Sequence, residues 1–232
     1  NFLFAGGRAV AKKTVGDVEL YYEEYGAGVP VVLIHGLAGD CGAWQPQIKV
    51  LEKDYKVVAF DNRGAGRSSS PDYPYTTRQF AEDTIGLMDA LNISEPAHIV
   101  GRSMGGAIAQ EMAIDFPDQV RSLLITASFG KLDRYGHQIL FNLNEVVKAQ
   151  GYAAAAKHQS LFFFPPQYFN ENEAQLNAYA YIGSRHAFSP ISGLSLVYFE
   201  PDTDVETDPG LAARTQEEFL LGFTPKLLAV DV

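Results

Sequence analysis

The feature that most constrains the fold of this chain is a set of apolar runs that are continuous rather than alternating. They lie at residues 29–34, 55–60 and 120–126, with a shorter one at His98-Ile99-Val100. A strand with one wet face alternates polar and apolar side chains, whereas a strand covered on both faces does not. Residues 44–51, 76–91 and 104–116 have helical spacing and lie between these runs. In the second helical pattern the apolar positions are Phe80, Ile85, Leu87, Met88 and Leu91. Strands that alternate with helices predict an α/β fold, a mostly parallel, doubly wound sheet covered on both faces. Ligands in such sheets bind beyond the carboxyl ends of the strands. One further strand is predicted at residues 17–25, which alternate and are rich in Val and Tyr, before the turn Gly26-Ala27-Gly28.

The run at 98–100 is followed directly by Gly101-Arg102-Ser103-Met104-Gly105 and then by the helical pattern. A serine between two glycines, after a strand and before a helix, has the wiring of a sharp strand-to-helix elbow. Such a turn leaves the hydroxyl at its tip, and side chains at the flanking glycines would collide. The helix start adds N–H groups and a positive dipole end that favour nearby negative charge. The bare five-residue pattern arises by chance in about one chain in ten of this length, so the flanking strand and helix carry its meaning.

Composition excludes several function classes. The chain has 232 residues, 47% of them hydrophobic and 20% charged, as in an ordinary globular protein, and a formal net charge of −10. That balance argues against nucleic acid or an anionic membrane as a partner, since phosphate binding needs clustered Lys and Arg. One cysteine, Cys41, allows no intrachain disulfide, which fits a reducing, cytoplasmic setting. No apolar stretch is long enough to span a bilayer. No histidine pair has zinc spacing. The acidic run Glu200, Asp202, Asp204, Glu206 and Asp208 fails the calcium-loop template, with Thr207 at its sixth position and Ala213 at its twelfth. The glycines at 101–106 lack the lysine of a phosphate loop. No cofactor and no metal are expected. Oligomeric state leaves no signal in the sequence.

After Phe129 the texture changes. Three parts are predicted: a core over residues 1–130, a helical cap insertion over 131–222, and a return to the core over 223–232. Helices are expected at 142–150 and 173–181, with a break at Phe162-Phe163-Phe164-Pro165-Pro166. Phe162, Phe163, Phe164, Tyr168, Phe169, Tyr179 and Tyr181 make the insertion aromatic. They read either as packing between cap and core or as the wall of an apolar tunnel, and both favour a small apolar or aromatic acyl substrate.

With His35-Gly36 after one buried strand, Asp61 to Ser68 after the next, and the Ser103 elbow third, the chain resembles the α/β-hydrolase family over residues 15–126. The likeness runs toward capped esterases, enol-lactonases and cofactor-free haloperoxidase-like members. The resemblance implies that Ser103 is the nucleophile toward an ester or lactone carbonyl. It places the backbone N–H groups of Leu37 and Met104 in the oxyanion hole. His35, Gly36, Gly101 and Gly105 are implied to shape the site rather than to react. Asp61 and Arg63 read as turn-fixing, and Arg102 reads either as a contact for an anionic substrate or as a packed or salt-bridged side chain. A serine at the elbow argues against the epoxide hydrolases and haloalkane dehalogenases of this fold, which use aspartate.

The family order is nucleophile, acid, histidine. After Ser103 the histidines are His137, His158 and His186, all within the insertion. Pro225 to Val230 reads as the strand that follows the cap, and Asp231 comes early for the family acid. The resemblance therefore implies that acid and histidine lie in a C-terminal piece beyond Val232. The competing readings are a cap histidine, His186 first, acting as base, and a relative that binds a small ligand without turnover. Perhydrolase or carbon–carbon hydrolase chemistry is the alternative within the fold.

Overall fold

A computed structural model of the chain describes residues 9–177, positions 38, 132 and 175 apart. Six strands form one sheet: β1 (Ala9–Val15), β2 (Val18–Tyr25), β3 (Pro30–Ile34), β4 (Lys56–Phe60), β5 (Ala97–Arg102) and β6 (Val120–Thr126). Their spatial order is β1-β2-β4-β3-β5-β6. β3 pairs parallel with β4 and with β5, and β5 pairs parallel with β6, while β1–β2 and β2–β4 are antiparallel. The fold is thus the α/β class, with a mixed, mostly parallel sheet.

The helices α1 (Gln45–Leu51), α2 (Thr77–Ala90) and α3 (Met104–Asp115) connect successive parallel strands. A single 3-10 turn, Cys41–Trp44, precedes α1 and brings Pro46 into the first turn of that helix, where its missing N–H costs nothing. All five residues of β3 are buried. Val31 and Leu33 join Tyr25, Val57, Ala59, Trp44 and Ile48 in one core cluster on the α1 side. Val32 and Ile34 are equally buried and, by alternation, point to the other face. There α3 packs on β3, β5 and β6, and α2 packs on α3 and β1. The runs behind β3 and β4 are continuous for this reason, whereas β6, expected to be covered on both faces, is an edge strand among the described residues, buried only at Val120 with Leu124 exposed. Thr76 caps α2 by accepting the Gln79 N–H at 3.1 Å.

The direction of winding reverses at β3. The chain moves from β3 to β4 on one side, then returns across to β5 on the other. In open α/β sheets this reversal, at the carboxyl ends of the two strands, is where ligands bind. The loops after β3 and β5 begin with His35 and Ser103.

β1 was not anticipated from the sequence. Its lysines, Lys12 and Lys13, dilute the apolar signal, as befits an edge strand. The usable signal was the two-residue Gly16-Asp17 link, where Gly16 takes φ 54° and Val15 pairs with Val18. Gly in the first central position is the II′ hairpin arrangement.

Beyond β6 come α4 (Arg134–Gln150), α5 (Tyr152–Phe163) and α6 (Pro166–Glu171). α4 begins earlier than its periodicity predicts because Asp133 caps it, accepting the Gly136 N–H at 2.7 Å. α5 was not anticipated either, although its run of four alanines at 153–156 favours helix. α4 and α5 pack against each other. The expected break falls between α5 and α6, at Phe164 and Pro165. The rest of the expected insertion, residues 178–222, and the expected late strand at 225–230 lie outside the described residues.

Arg63 fastens the loop after β4. Its Nε and Nη2 donate to the two carboxylate oxygens of Asp83 on α2 at 2.5 and 2.6 Å. Nη1 donates to the Tyr73 hydroxyl at 2.6 Å, and Nη2 also reaches Asp17 in the β1–β2 turn at 3.2 Å. Arg63 and Asp83 are both almost fully buried. Removing one member of a buried pair strands the other charge, so Arg63→Ala is expected to cost about 3–5 kcal/mol of unfolding free energy. Urea denaturation measures this, and Arg63→Lys should restore only part of it because a lysine cannot grip both oxygens.

Candidate active site

Ser103 sits between the last residue of β5 and the first of α3, with φ 54° and ψ −122°. A serine at positive φ costs on the order of 1–3 kcal/mol and persists only where its surroundings hold it. They do so on both sides. The Ser103 N–H donates to Thr126 O at 2.9 Å. Its carbonyl accepts from Gly106 N–H at 2.8 Å, Ala107 N–H at 3.3 Å and the Ser128 hydroxyl at 2.7 Å.

The neighbouring glycines are required by close approach. A Cβ on Gly101 would strike Gly105 O and come within 2.7 Å of Gly106 Cα. A Cβ on Gly105 would strike Ile34 O and lie 2.8 Å from His35 O. A Cβ on Gly36 would lie 3.0 Å from Ser103 Cβ and 3.6 Å from its Oγ. The loop after β3 therefore touches the elbow backbone to backbone, and Gly36 lies against Ser103 itself.

His35 is buried and both of its ring nitrogens are engaged. Nδ1–H donates to Gly36 O at 2.8 Å, and Nε2 accepts the Asn62 N–H at 3.0 Å. This fixes the neutral tautomer protonated at Nδ1. Burial pushes the imidazole below its usual 6.5, against the pull of the Gly36 carbonyl and of Asp61 and Asp40. With both nitrogens bonded to backbone, neither is open to Ser103. Gly36 O also accepts the Gly39 N–H at 3.2 Å, so the peptide joining Gly36 to Leu37 is held at its carbonyl end. Among the described residues, the N–H groups of Leu37 and Met104 donate to no protein acceptor.

Asp61, fully buried after β4, ties this loop to its neighbours. Oδ1 accepts the Cys41 N–H at 2.8 Å, and Oδ2 accepts the Arg67 N–H and Nε–H, both at 2.9 Å. Burial alone would raise this carboxyl, but the donors from Arg67 and Cys41 outweigh it and hold the group below the ordinary carboxylate range. Arg67 also reaches Glu23 at 3.4 Å and the Cys41 sulfur at 3.1 Å, and it lies 3.5 Å over the Tyr21 ring. Burial pushes the Cys41 thiol up, so it is an uncharged packing group.

His137 and His158 are exposed on α4 and α5. His186 and Asp231 lie outside the described residues. His98, at the start of β5, bonds Ser122 through Nδ1 at 2.6 Å, at the end of the strand away from Ser103. Among the described residues no histidine or carboxylate hydrogen-bonds the Ser103 hydroxyl. Arg102 is exposed. Of the aromatic set, Phe164 and Tyr168 stack at 4.8 Å; Tyr179 and Tyr181 lie outside the described residues. No group of three metal-binding side chains occurs among the described residues, and none of their helices is long and apolar enough to cross a membrane. Sequence reasoning missed Arg67 and Ser128, whose partners are distant in the chain.

Two measurements test this arrangement. Helix propensity alone says that Gly105→Ala stabilises by about 1 kcal/mol. The collision with Ile34 O and His35 O reverses the sign, and a loss of about 3 kcal/mol is expected in urea unfolding. For His35, the folded-state value lies below the unfolded one. Its contribution is complete above about pH 6.5 and is lost as pH falls below it, because the unfolded chain takes up the proton first. The stability gap between wild type and His35→Gln should therefore shrink between about pH 7.5 and about pH 5.5.

Comparison with known proteins agrees with this geometry. The model of the α/β-hydrolase fold family matches residues 29–163. A protein of Azorhizobium caulinodans named "Putative carbamate hydrolase RutD" is 36% identical over 161 residues, covering 69% of this chain and 60% of its own length. "Putative non-heme bromoperoxidase BpoC" of Mycobacterium tuberculosis is 40% identical over 119 residues, 50% of this chain and 45% of that protein. Among solved structures, the enol-lactonase from Burkholderia xenovorans LB400 superposes with a TM-score of 0.68 at 26% identity, over 75% of this chain and 67% of that one. The chain spans 60% of the length of the first of these relatives. With more than half of its residues inside the family match, the chain belongs to the α/β-hydrolase fold family.

Proposed function

We propose that this protein is a serine hydrolase that cleaves a carboxylic ester or lactone through an acyl-enzyme on Ser103. The observation that carries the reading is the backbone of Ser103 itself. It is held at φ 54° at the carboxyl end of β5, a parallel strand, next to the Met104 N–H, which has no protein acceptor among the described residues. The Ser103 oxygen attacks the carbonyl while a histidine base from outside the described residues takes the hydroxyl proton. The proton passes to the departing alkoxide, and water then releases the acid from the acyl-enzyme. The developing oxyanion takes up the N–H bonds of Leu37 and Met104. Loss of one such donor typically costs about 2.7–4 kcal/mol of transition-state stabilisation. Because both are backbone groups, side-chain changes at Leu37 or Met104 leave them in place. The neutral His35 keeps the first loop in position and takes no proton.

The structural neighbours support the lactone and ester class: besides the enol-lactonase, one is described as Est816, an N-acyl homoserine lactone degrading enzyme, at 26% identity. The RutD likeness adds carbamates, whose carbonyl passes through the same kind of tetrahedral intermediate. The BpoC likeness favours a second reading, perhydrolase chemistry, in which peroxide instead of water takes the acyl group. Ligand binding without turnover is the reading from another class, motivated by the lack of a base beside Ser103 among the described residues.

A fluorophosphonate probe separates turnover from binding. Covalent labelling is expected on Ser103, and Ser103→Ala should abolish it and lower ester hydrolysis by about 10⁴-fold or more. An unlabelled Ser103 in the intact, folded protein would leave only the binding reading.

A further inference from the structure

The Ser103 carbonyl and the Met104 N–H are the two ends of one planar peptide. Whatever grips that carbonyl also sets the direction in which the N–H points. Helix α3 supplies the bonds from Gly106 and Ala107, as any N-cap carbonyl would receive. The third bond comes from outside the helix, from the Ser128 hydroxyl at 2.7 Å, and it is the shortest of the three.

The turn after β6 is built around this contact. Ala127 adopts φ 48°, a left-handed conformation that alanine rarely takes. On one side of it, Thr126 O accepts the Ser103 N–H; on the other, Ser128 donates to the Ser103 carbonyl. Room for Ser128 depends on Gly106, where a Cβ would lie 2.5 Å from both Cβ and Oγ of Ser128. The peptide of Leu37 is treated in the same way. Its carbonyl partner, Gly36 O, accepts His35 Nδ1–H at 2.8 Å. Each candidate oxyanion donor thus lies on a peptide whose far end is held by a neutral side-chain donor.

We infer that Ser128 is a positioning residue of the oxyanion hole. It fixes the peptide plane that carries the Met104 N–H and, by donating to the carbonyl of that peptide, strengthens the N–H as a donor. The inference rests on the serine-hydrolase reading of Ser103. Ser128 touches no reacting atom. Its effect falls on the tetrahedral state, where the oxyanion exists, and spares the ground state.

The test compares wild type, Ser128→Ala and Ser128→Thr in the intact protein, with p-nitrophenyl butyrate as substrate and rates normalised to fluorophosphonate-titrated Ser103. Ser128→Ala is expected to lower kcat about tenfold, less than the loss of a donor itself, with KM within about twofold. Inhibition by an alkyl trifluoromethyl ketone, whose adduct carries the oxyanion, should weaken by the same factor. Ser128→Thr, which keeps the hydroxyl, should recover most of the rate. If Ser128→Ala does not fold, Ser128→Cys takes its place, with a smaller loss in the same direction. A purely structural Ser128 would lower Tm and the titratable fraction but leave kcat per titrated serine and ketone affinity unchanged, and that result overturns the inference. Wild-type protein whose Ser103 takes no label overturns the hydrolase reading instead.

Discussion

Backbone packed directly on backbone, at the carboxyl ends of β3 and β5, is the constraint on which the rest of the structure depends. Gly101 meets the start of α3, Gly105 meets the end of β3, and Gly36 meets Ser103. No side chain fits at any of these points. The reward is proximity: the loop after β3, the elbow and the turn after β6 come within hydrogen-bond reach of one another. The positive φ of Ser103 follows from that crowding, and it is maintained by bonds to Thr126, Ser128, Gly106 and Ala107.

Around this contact the loops are fixed by buried charge. Arg63 and Arg67 each bridge carboxylates that come from different parts of the chain: Asp17 with Asp83, and Glu23 with Asp61. In a chain with net charge −10, these two guanidiniums neutralise the buried Asp83, Glu23 and Asp61 and the half-exposed Asp17. Burial works against every one of these ions, so their value lies in uniqueness of arrangement more than in stability.

Much of this was legible in the sequence wherever the signal is local. The runs behind β3 and β4 are apolar because both of their faces are covered, and Ser103 announces its turn through adjacent glycines; the run behind β6 misled, since among the described residues β6 is an edge strand buried only at Val120. Thr76 and Pro46 mark helix starts by their own chemistry. The failures have a common cause. β1 is a lysine-bearing edge strand whose pairing is set by its partner. Arg67 is one arginine in a turn until Asp61, Glu23 and Tyr21 surround it in space. Ser128 lies 25 residues from the carbonyl it serves, and nothing in its own neighbourhood of sequence marks it. Local patterns write the scaffold; through-space contacts write the site.

The tautomer of His35 has a consequence of its own. Its proton on Nδ1 and the hydroxyl proton of Ser128 are the side-chain grips on the two peptides beside the elbow, and neither grip carries a charge. On the proposed reading of Ser103, an oxyanion there meets a pair of amide dipoles whose peptides are held by neutral groups. An anion arriving from solvent would have to surrender its hydration for two amide dipoles, a poor exchange. Charge created in place at a carbonyl has no such shell to surrender. These dipoles, on that proposed reading, serve a charge that appears only as a bond forms.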